Sequence, residues 1–498
     1  MRAKRWLFFL AVAASSAAAA DLRFFYTANR QGEIDPCGCP TTEQNGGIDR
    51  MAALLAGAKF DPKSAFFGDA GDTFFSNVTL LPTRRAQELA QSSLIARVYR
   101  ELGLEVFSPG ERDFAGGIEE LRRLQALTGA AFISANLSDR EGHPFFPATA
   151  LLEKQGVKIG VIGVADPTLF GAFPEVHAEP PEPAVSRAAG ELRKQGADVV
   201  VVLSHLGLHG DQDLAKSGGV DLIIGSHSLD SLDPPRRVGD TWIVQPMYQG
   251  QQVGWITWDT TSRRFTGAKL VDLGRDWEKT TAVSRLIADY RKGRDRAEER
   301  GSASVAPAAP GAFVAHPASC RRCHAKQYAF WETTKHASAY LVLYAKDEHF
   351  NPECIGCHSL GFEKKGGYSS IVRPIVEVGE PPLKKGMTPL IEQIMKTVFA
   401  GDPGKGDLDS RVQPDRFAQL QHRYLDEIHR LEGAGKIERL YAGVQCEHCH
   451  GNLNGHPGNH RAVAKVVEAT CRGCHRPPEA PHFDFAMVKL VGCPAGSR

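Results

Sequence analysis

Between residues 21 and 275, short apolar runs alternate with longer amphipathic stretches. Leu22–Tyr26, Ala65–Phe67, Val157–Val164, Val199–Leu203 and Leu222–Ile224 are short and rich in Val, Ile, Leu, Phe and Tyr, which predicts buried β-strands. Arg84–Leu102, Ile118–Leu127 and Ala184–Gln195 repeat apolar residues at helical spacing. The alternation predicts a layered α/β fold for this half. Polar residues follow these strands closely: Asn29 and Gln31, Asp72, His205 and His227. Loops at strand ends build the sites of such folds. Singly, each is an ordinary turn residue; together they mark a candidate site.

The pattern changes after residue 275. Asp276–Arg300 is charged and reads as a helix, and Glu298 to Ala312 is a run of small residues and Pro without periodicity, a linker. Beyond it, Gly/Pro-rich loops surround short helical stretches such as Leu390–Phe399 and Arg416–Leu431. The predicted organisation is a removable leader at 1–20, an α/β domain at 21–297, a linker at 298–312 and a mainly α, loop-rich domain at 313–498. At 498 residues the chain is too long for one ordinary domain.

Charge narrows the partners. Lys and Arg number 59 and Asp and Glu 58, so no bulk charge points to nucleic acid or to a polybasic membrane contact. The first twenty residues have the layout of a secretory signal peptide: Arg2, Lys4 and Arg5, then apolar Trp6 to Ala14, then Ala18-Ala19-Ala20 before Asp21. No later segment is long and apolar enough to span a membrane, and no Cys near the cleavage point suggests a lipid anchor. A mature protein in the bacterial periplasm is expected.

Eight of the eleven Cys fall in four identical frames. These are Cys320-x-x-Cys323-His324, Cys354-x-x-Cys357-His358, Cys446-x-x-Cys449-His450 and Cys471-x-x-Cys474-His475. C-x-x-C-H attaches c-type haem: two thiols bond one porphyrin and the adjoining His ligates its iron. From the composition, one such match is expected about 0.01 times by chance. Zinc does not require His after every second Cys, and a thioredoxin-type motif would not recur four times. Four haem c groups are therefore expected. Export agrees, because bacterial c-type attachment happens outside the cytoplasm.

Nine further His and three Met lie beyond residue 312, which favours His/His over Met/His ligation and low potentials. His336 stands twelve residues after His324; with Gln327–Lys335 helical, the rise is about 18 Å, so His336 serves a different haem. His456 follows His450 too closely to wrap round its own haem and is also a cross-ligand. His429 is a further candidate. With four haems to enclose, this half is expected to use the macrocycles as its core.

The same residues carry a family resemblance. Cys320-x-x-Cys323-His324 with Trp331 and Lys335-His336-Ala337 resembles the opening of the tetrahaem cytochrome c-554 family. Asn351-Pro352-Glu353-Cys354, Gly443-Val444-Gln445-Cys446 with His456, and Cys471 to His475 with Phe483-Asp484-Phe485 resemble its later segments. The resemblance implies electron transfer with redox partner proteins, packed haem pairs and room for one five-coordinate iron.

The first half resembles the 5'-nucleotidase branch of the calcineurin-like metallophosphoesterases. Phe67-Gly68-Asp69-Ala70-Gly71-Asp72, Leu203-Ser204-His205-Leu206-Gly207 and Asp221 to His227 carry the likeness, which implies a four-layer αββα sandwich. The departures are specific. Asn29 and Gln31 stand where the family has Asp-x-His, Leu229 where it has its last His, and Arg112 where it has the His that stabilises the transition state. One of the family's two metal sites should thereby be lost or rebuilt. Asp72, His205 and His227 remain, with Glu111 in an Asn position, a set able to hold one Mn, Zn or Fe. Two readings stand: a one-metal site and an empty scaffold. Cys37-Gly38-Cys39 should approach this site as replacement ligands, a redox pair or a disulfide; Cys493 has no assigned role.

Three functions are consistent with these residues. The first is electron transfer, with the α/β domain docking a partner or a small-molecule substrate. The second adds metal-dependent phosphoester or sulfur-ester hydrolysis, and the third is redox catalysis at a five-coordinate haem.

Overall fold

The computed structural model describes residues 21–37, 44–82, 84–301, 313–346, 348–349, 351–364, 367–368, 370–379, 388–402, 408, 413–451, 453, 456, 465–475, 480 and 483–486. The chain divides into two compact units. The first comprises Met1–Asp35, Gly46–Thr79 and Ile95–Thr281; the second comprises Pro36–Asn45, Leu80–Leu94 and Ala282–Arg498.

Twelve strands build the first unit's two main sheets. They are β1 (Leu22–Thr27), β2 (Ala65–Asp69), β3 (Val106–Phe107), β4 (Ala131–Phe132), β5 (Thr149–Lys154), β6 (Val157–Ala165), β7 (Val199–His205), β8 (Leu222–Gly225), β9 (Arg236–Val238), β10 (Thr241–Val244), β11 (Gln252–Asp259) and β12 (Arg264–Asp272). One sheet runs β12-β11-β1-β2-β3-β4 and the other β9-β10-β8-β7-β6-β5. Parallel pairing joins β1 to β2 and β6 to β7 to β8. Chain reversals at β11–β12 and β5–β6 give antiparallel edges.

The strands at the centre are buried on both faces, which is why they read as continuous apolar runs. One core cluster contains Phe24, Phe66 and Ile256 from the first sheet with Val161, Val201 and Leu222 from the second, so the sheets pack face to face. The second sheet's outer face, with Ile162, Val200, Val202 and Ile223, packs on α4 (Pro181–Lys194) and α5 (Gly207–Ser217). The first sheet's outer face carries Phe25, Phe67, Phe107 and Phe132, and Phe67 stacks on Tyr99 of the helix Arg85–Glu101. This is the four-layer αββα arrangement. In chain order the helices are α1 (Ile48–Gly57), α2 (Arg85–Glu101), of which the part from Ile95 belongs to this unit, α3 (Ile118–Thr128), α4 and α5. A further helix, α6 (Ser284–Gly301), starts eight residues later than the expected Asp276 and runs into the first residues read as linker.

The second unit is helical and loop-rich: α7 (Pro317–Cys320), α8 (Ala325–Thr333), α9 (Ala339–Lys346), α10 (Pro352–His358), α11 (Leu390–Val398), α12 (Pro414–Gly433), α13 (Cys446–His450) and α14 (Glu468–Arg472). A small ribbon pairs β13 (Ile375–Glu377) with β14 (Ile437–Leu440). The expectation of a core made of macrocycles is corrected. Leu390, Ile391, Ile394, Met395 and Val398 of α11 meet Phe417, Leu420, Tyr424, Ile428 and Leu431 of α12 in an all-protein core that extends to Tyr340, Leu341 and Ile355. The reason is the long segment between the second and third C-x-x-C-H motifs, which supplies two amphipathic helices able to bury each other. Among the described residues, no helix is long and apolar enough to cross a membrane.

Candidate metal centre and haem motifs

Five strand ends meet in the first unit. The loop after β2 carries Asp72, the loop after β3 carries Glu111 and Arg112, and β7 ends at His205. His227 follows β8, and Asn29 and Gln31 follow β1. Asn29, Gln31, Asp72 and His227 all have left-handed backbone, with φ of 50°, 56°, 53° and 69°. The loops after β1 and β2 are stitched together: Asn29 N–H donates to Gly71 O, Gln31 N–H to Asp72 O and Gly32 N–H to Thr73 O. Asp113 closes the arrangement from beneath. One carboxylate oxygen accepts from Asp72 N–H (2.8 Å) and Gly110 N–H (2.9 Å), the other from Thr73 and Phe74 N–H (both 2.9 Å). Burial and the Asp72 charge push its pKa up to about 7 against the pull of these donors.

Glu111, His205 and His227 offer ligand atoms that all lie within 4.8 Å of one another. His205 is fully buried. Its Nδ1 lies 3.1 Å from Ala70 O, which can only accept, so Nδ1 carries the proton. Its Nε2 therefore presents a lone pair in the neutral ring. That atom stands 2.9 Å from Glu111 Oε2 and 3.5 Å from Asp72 Oδ2, and neither Nε2 nor Glu111 Oε2 has a hydrogen bond. A lone pair facing two carboxylates demands a positive charge between them, from a proton or from a metal ion. Burial alone would keep His205 neutral, but the Asp72 and Glu111 charges outweigh it and raise its pKa well above the ordinary 6.5. Burial and the charge of His205 lower His227. A cation ligated by Glu111, His205 and His227 fits this donor set, two imidazoles and a carboxylate.

Asp72 is not within that group of three. Its Oδ1 accepts from Arg112 N–H (2.9 Å) and its Oδ2 lies 3.2 Å from the Arg112 guanidinium. Asn29 is engaged too. Its Oδ1 accepts from Ser226 O–H (2.7 Å) and His227 N–H (3.0 Å), and its Nδ2 donates to Ser228 O. Ser226 Oγ in turn lies 2.9 Å from His205 Nδ1, so Asn29 orients His205 through one hydroxyl, a supporting role the sequence did not reveal. Leu229 is 54% exposed. Cys37 lies in a two-residue strand, Pro36–Cys37, in a ribbon with Asn45–Gly46; Cys39 and Cys493 lie outside the described residues.

In the second unit, α7, α10, α13 and α14 carry the motif cysteines Cys320, Cys354, Cys357, Cys446, Cys449 and Cys471; Cys323 and Cys474 follow in the adjoining turns. Among the described residues these cysteines and histidines form no compact cluster of the kind zinc requires. The histidines pair instead. His324 and His456 face each other with ring centroids 5.9 Å apart and planes 27° from parallel; His336 and His475 stand 6.0 Å apart. An imidazole nitrogen sits about 2.0–2.1 Å from a metal it ligates, so two rings on one metal have centroids about 6 Å apart. Burial holds His336, His358 and His475 below the ordinary 6.5, in the neutral form that ligates. His358 directs Nδ1 to Ala339 O, the second-nitrogen contact typical of ligating histidines. Contact with Cys446 lowers the Cys320 thiol to about 7, placing the first and third motifs side by side.

His429 has its Nε2 2.6 Å from Glu332 on α8. His448 is occupied on both nitrogens, by Gln445 N–H and Ser359 O, and burial lowers it to about 4. Among the described residues no second imidazole stands opposite His358 or His450 as His456 and His336 do. His460 and His482 lie outside the described residues.

The cytochrome c554 and c-prime family model matches residues 319–378, which hold the first two motifs. The chain is 26% identical over 257 residues to endonuclease YhcR of Bacillus subtilis, covering 46% of this chain and 20% of that protein. It is 26% identical over 206 residues to a probable 5'-nucleotidase of Treponema pallidum, covering 38% and 34%. The chain joins a 5'-nucleotidase-like region to a cytochrome c554 segment. It spans only a fifth to a third of the length of these curated relatives. Among solved structures, the sulfate thiohydrolase SoxB of Thermus thermophilus is similar at 20% identity and a TM-score of 0.48, covering 55% of this chain and 61% of that one.

Proposed function

We propose that the chain is a periplasmic electron-transfer protein whose second unit carries four c-type haems and whose first unit binds one divalent cation. The observation that carries the reading is two close imidazole pairs, His324 with His456 and His336 with His475, whose ring centroids lie 5.9 and 6.0 Å apart, a separation compatible with ligation of one iron from opposite sides. Each pair joins a motif histidine to a residue from a distant segment. The neighbouring thiols of Cys320 and Cys446 support close packing of the first and third haems, which suits electron relay. When bound, haem supplies the one-electron chemistry; the chain supplies thioethers, neutral imidazoles and burial. In the first unit, Glu111, His205 and His227 would hold Mn, Zn or Fe, and the loops around them would receive a small-molecule substrate or a redox partner.

The test is stoichiometry on haem-matured protein. Pyridine haemochrome should give four haems per chain, and metal analysis should give about one further ion, lost on Glu111→Gln. Fewer than four haems would refute the relay; four haem irons and nothing more would leave the first unit metal-free.

Hydrolysis of a phosphoester or sulfur ester is the second reading, favoured by the intact Glu111–His205–His227 group. Arg112 and Asn29 weigh against it, because a two-metal clamp has no second ligand set among them. Turnover of phosphoesters with added Mn would establish it; failure across metals and substrates would remove it. For the haem at His358, a high-spin ferric signal would support a redox enzyme, and uniformly low-spin iron would exclude one.

A further inference from the structure

We infer that Arg112 is the built-in second cation of the first unit's site, so that the site takes one metal ion and its guanidinium excludes another. The inference rests on the one-cation reading above and concerns why the number is one. Both oxygens of Asp72 are committed to residue 112: Oδ1 to its backbone N–H at 2.9 Å and Oδ2 to its Nε at 3.2 Å. The guanidinium is fixed at its other end, where Nη1 donates to Ser76 O at 3.0 Å. Ser76 belongs to the same loop as Asp72, so the arginine is clamped to both ends of that loop and not swung out to solvent.

Charge counts lead to the same place. The site holds two carboxylates, Asp72 and Glu111, a third, Asp113, beneath them, one permanent cation, Arg112, and two imidazoles. With the imidazoles neutral and the three carboxylates ionised the sum is two negative charges. One divalent ion brings it to zero, and a second would leave two positive charges within a few ångströms and partly buried. The side chain that would have to welcome a second ion is also turned to other work. Asn29 gives its oxygen to Ser226 and His227 and its N–H to Ser228, which leaves no acceptor for a metal. Asp72 Oδ2 thus stands between two positive groups, His205 or its metal on one side and Arg112 on the other.

The consequence is that restoring lost ligands is not sufficient for a second ion; the guanidinium must also go. The experiment titrates Mn into the haem-matured full chain and reads bound Mn per chain, with the electron paramagnetic resonance of the Mn itself. Wild type is expected to bind one Mn with the six-line signal of an isolated ion. Asn29→Asp with Gln31→His should still bind one. The same pair with Arg112→Met should bind two, with an exchange-broadened signal. Arg112→Met alone, which leaves Asn29 in its hydrogen bonds, should still bind one Mn, at least tenfold tighter than wild type, because the positive charge competing for Asp72 is gone. It keeps the question decidable if the triple variant does not fold. A second Mn in the Asn29→Asp, Gln31→His protein with Arg112 present would overturn the inference. So would equal Mn affinity in wild type and Arg112→Met. No Mn in wild type would instead remove the one-cation reading on which it rests.

Discussion

Asp113 is the residue whose replacement says most about the first unit. Its two oxygens receive four buried backbone N–H groups, two each, from the loops that carry Asp72 and Glu111. Asparagine has nearly the same shape but only one acceptor oxygen. In Asp113→Asn two of the four N–H groups therefore face an amide NH2 and lose their acceptor. A buried donor left unsatisfied costs about 1–3 kcal/mol, so the variant should lose roughly 2–6 kcal/mol. For a unit of this size each kcal/mol lowers the melting temperature by about 2–4 °C. The loss falls on the loops that position the metal ligands, so Mn affinity should fall about tenfold for every ~1.4 kcal/mol that binding must restore. Differential scanning calorimetry and Mn titration at pH 8, above the Asp113 pKa of about 7, would measure both. Haem content should stay unchanged, because none of the four contacts touches the second unit. An Asp113→Asn protein with wild-type melting and wild-type Mn affinity would refute the argument that this carboxylate holds the site together.

Other expectations follow from single contacts. Asp211 is fully buried beside Ser204, and burial raises its pKa from the ordinary 3.8 to about 7. A raised folded-state pKa gives stability that is complete below about pH 4 and is lost as pH rises through 7, up to about 4 kcal/mol in all. Asp211→Asn should flatten that slope between pH 4 and 8 in denaturant midpoints; an unchanged slope would place the titration elsewhere. His336→Ala and His456→Ala should each convert one low-spin haem to a high-spin ferric one near g = 6, without loss of haem (roughly the behaviour of an iron with an open axial position); a wholly low-spin spectrum would break the pairing. Glu447 accepts N–H groups from Val314, Ala315 and Leu453, so Glu447→Gln should destabilise the second unit by about 1–3 kcal/mol and lower its melting temperature, and an unaltered transition would count against it.

What was legible in the sequence had a local signature. β2, β6, β7 and β8 are unbroken apolar runs because both of their faces are covered, and α12 shows its period because one face meets α11. β11 and β12 were not read. β12 is the edge strand and β11 its neighbour; both mix buried with half-exposed positions and include Gly254 and Gly267, so their apolar signal is thin. α1 went unread as well, although Met51, Leu54 and Leu55 are buried; two flanking glycines and a run of alanines disguise its period. In the site, Asp72, His205 and His227 were found because each stands at a strand end, and Glu111 through the resemblance to the metallophosphoesterases. The roles of Asp113, Ser226 and Asn29 were not, because each depends on partners far along the chain. His429 had the right type for a haem ligand, and only the fold reveals its contact with Glu332. The two-helix core of the second unit was missed because counting haems left no place for a segment that packs on itself.

The left-handed backbones at Asn29, Gln31, Asp72 and His227 have a meaning beyond geometry. Non-glycine residues reach that conformation at a cost of about 1–2 kcal/mol each, and here the interlocked loops enforce it while the chain folds. The ordering that a binding site usually demands of its ligand is thus complete before any ligand arrives. Such a site is preorganised: an incoming ion has side chains to join and no backbone to rearrange. Amide exchange along Asn29–Gly32 and Asp72–Phe74 should then be equally slow with and without bound metal, and affinity there should be governed by charge and coordination alone.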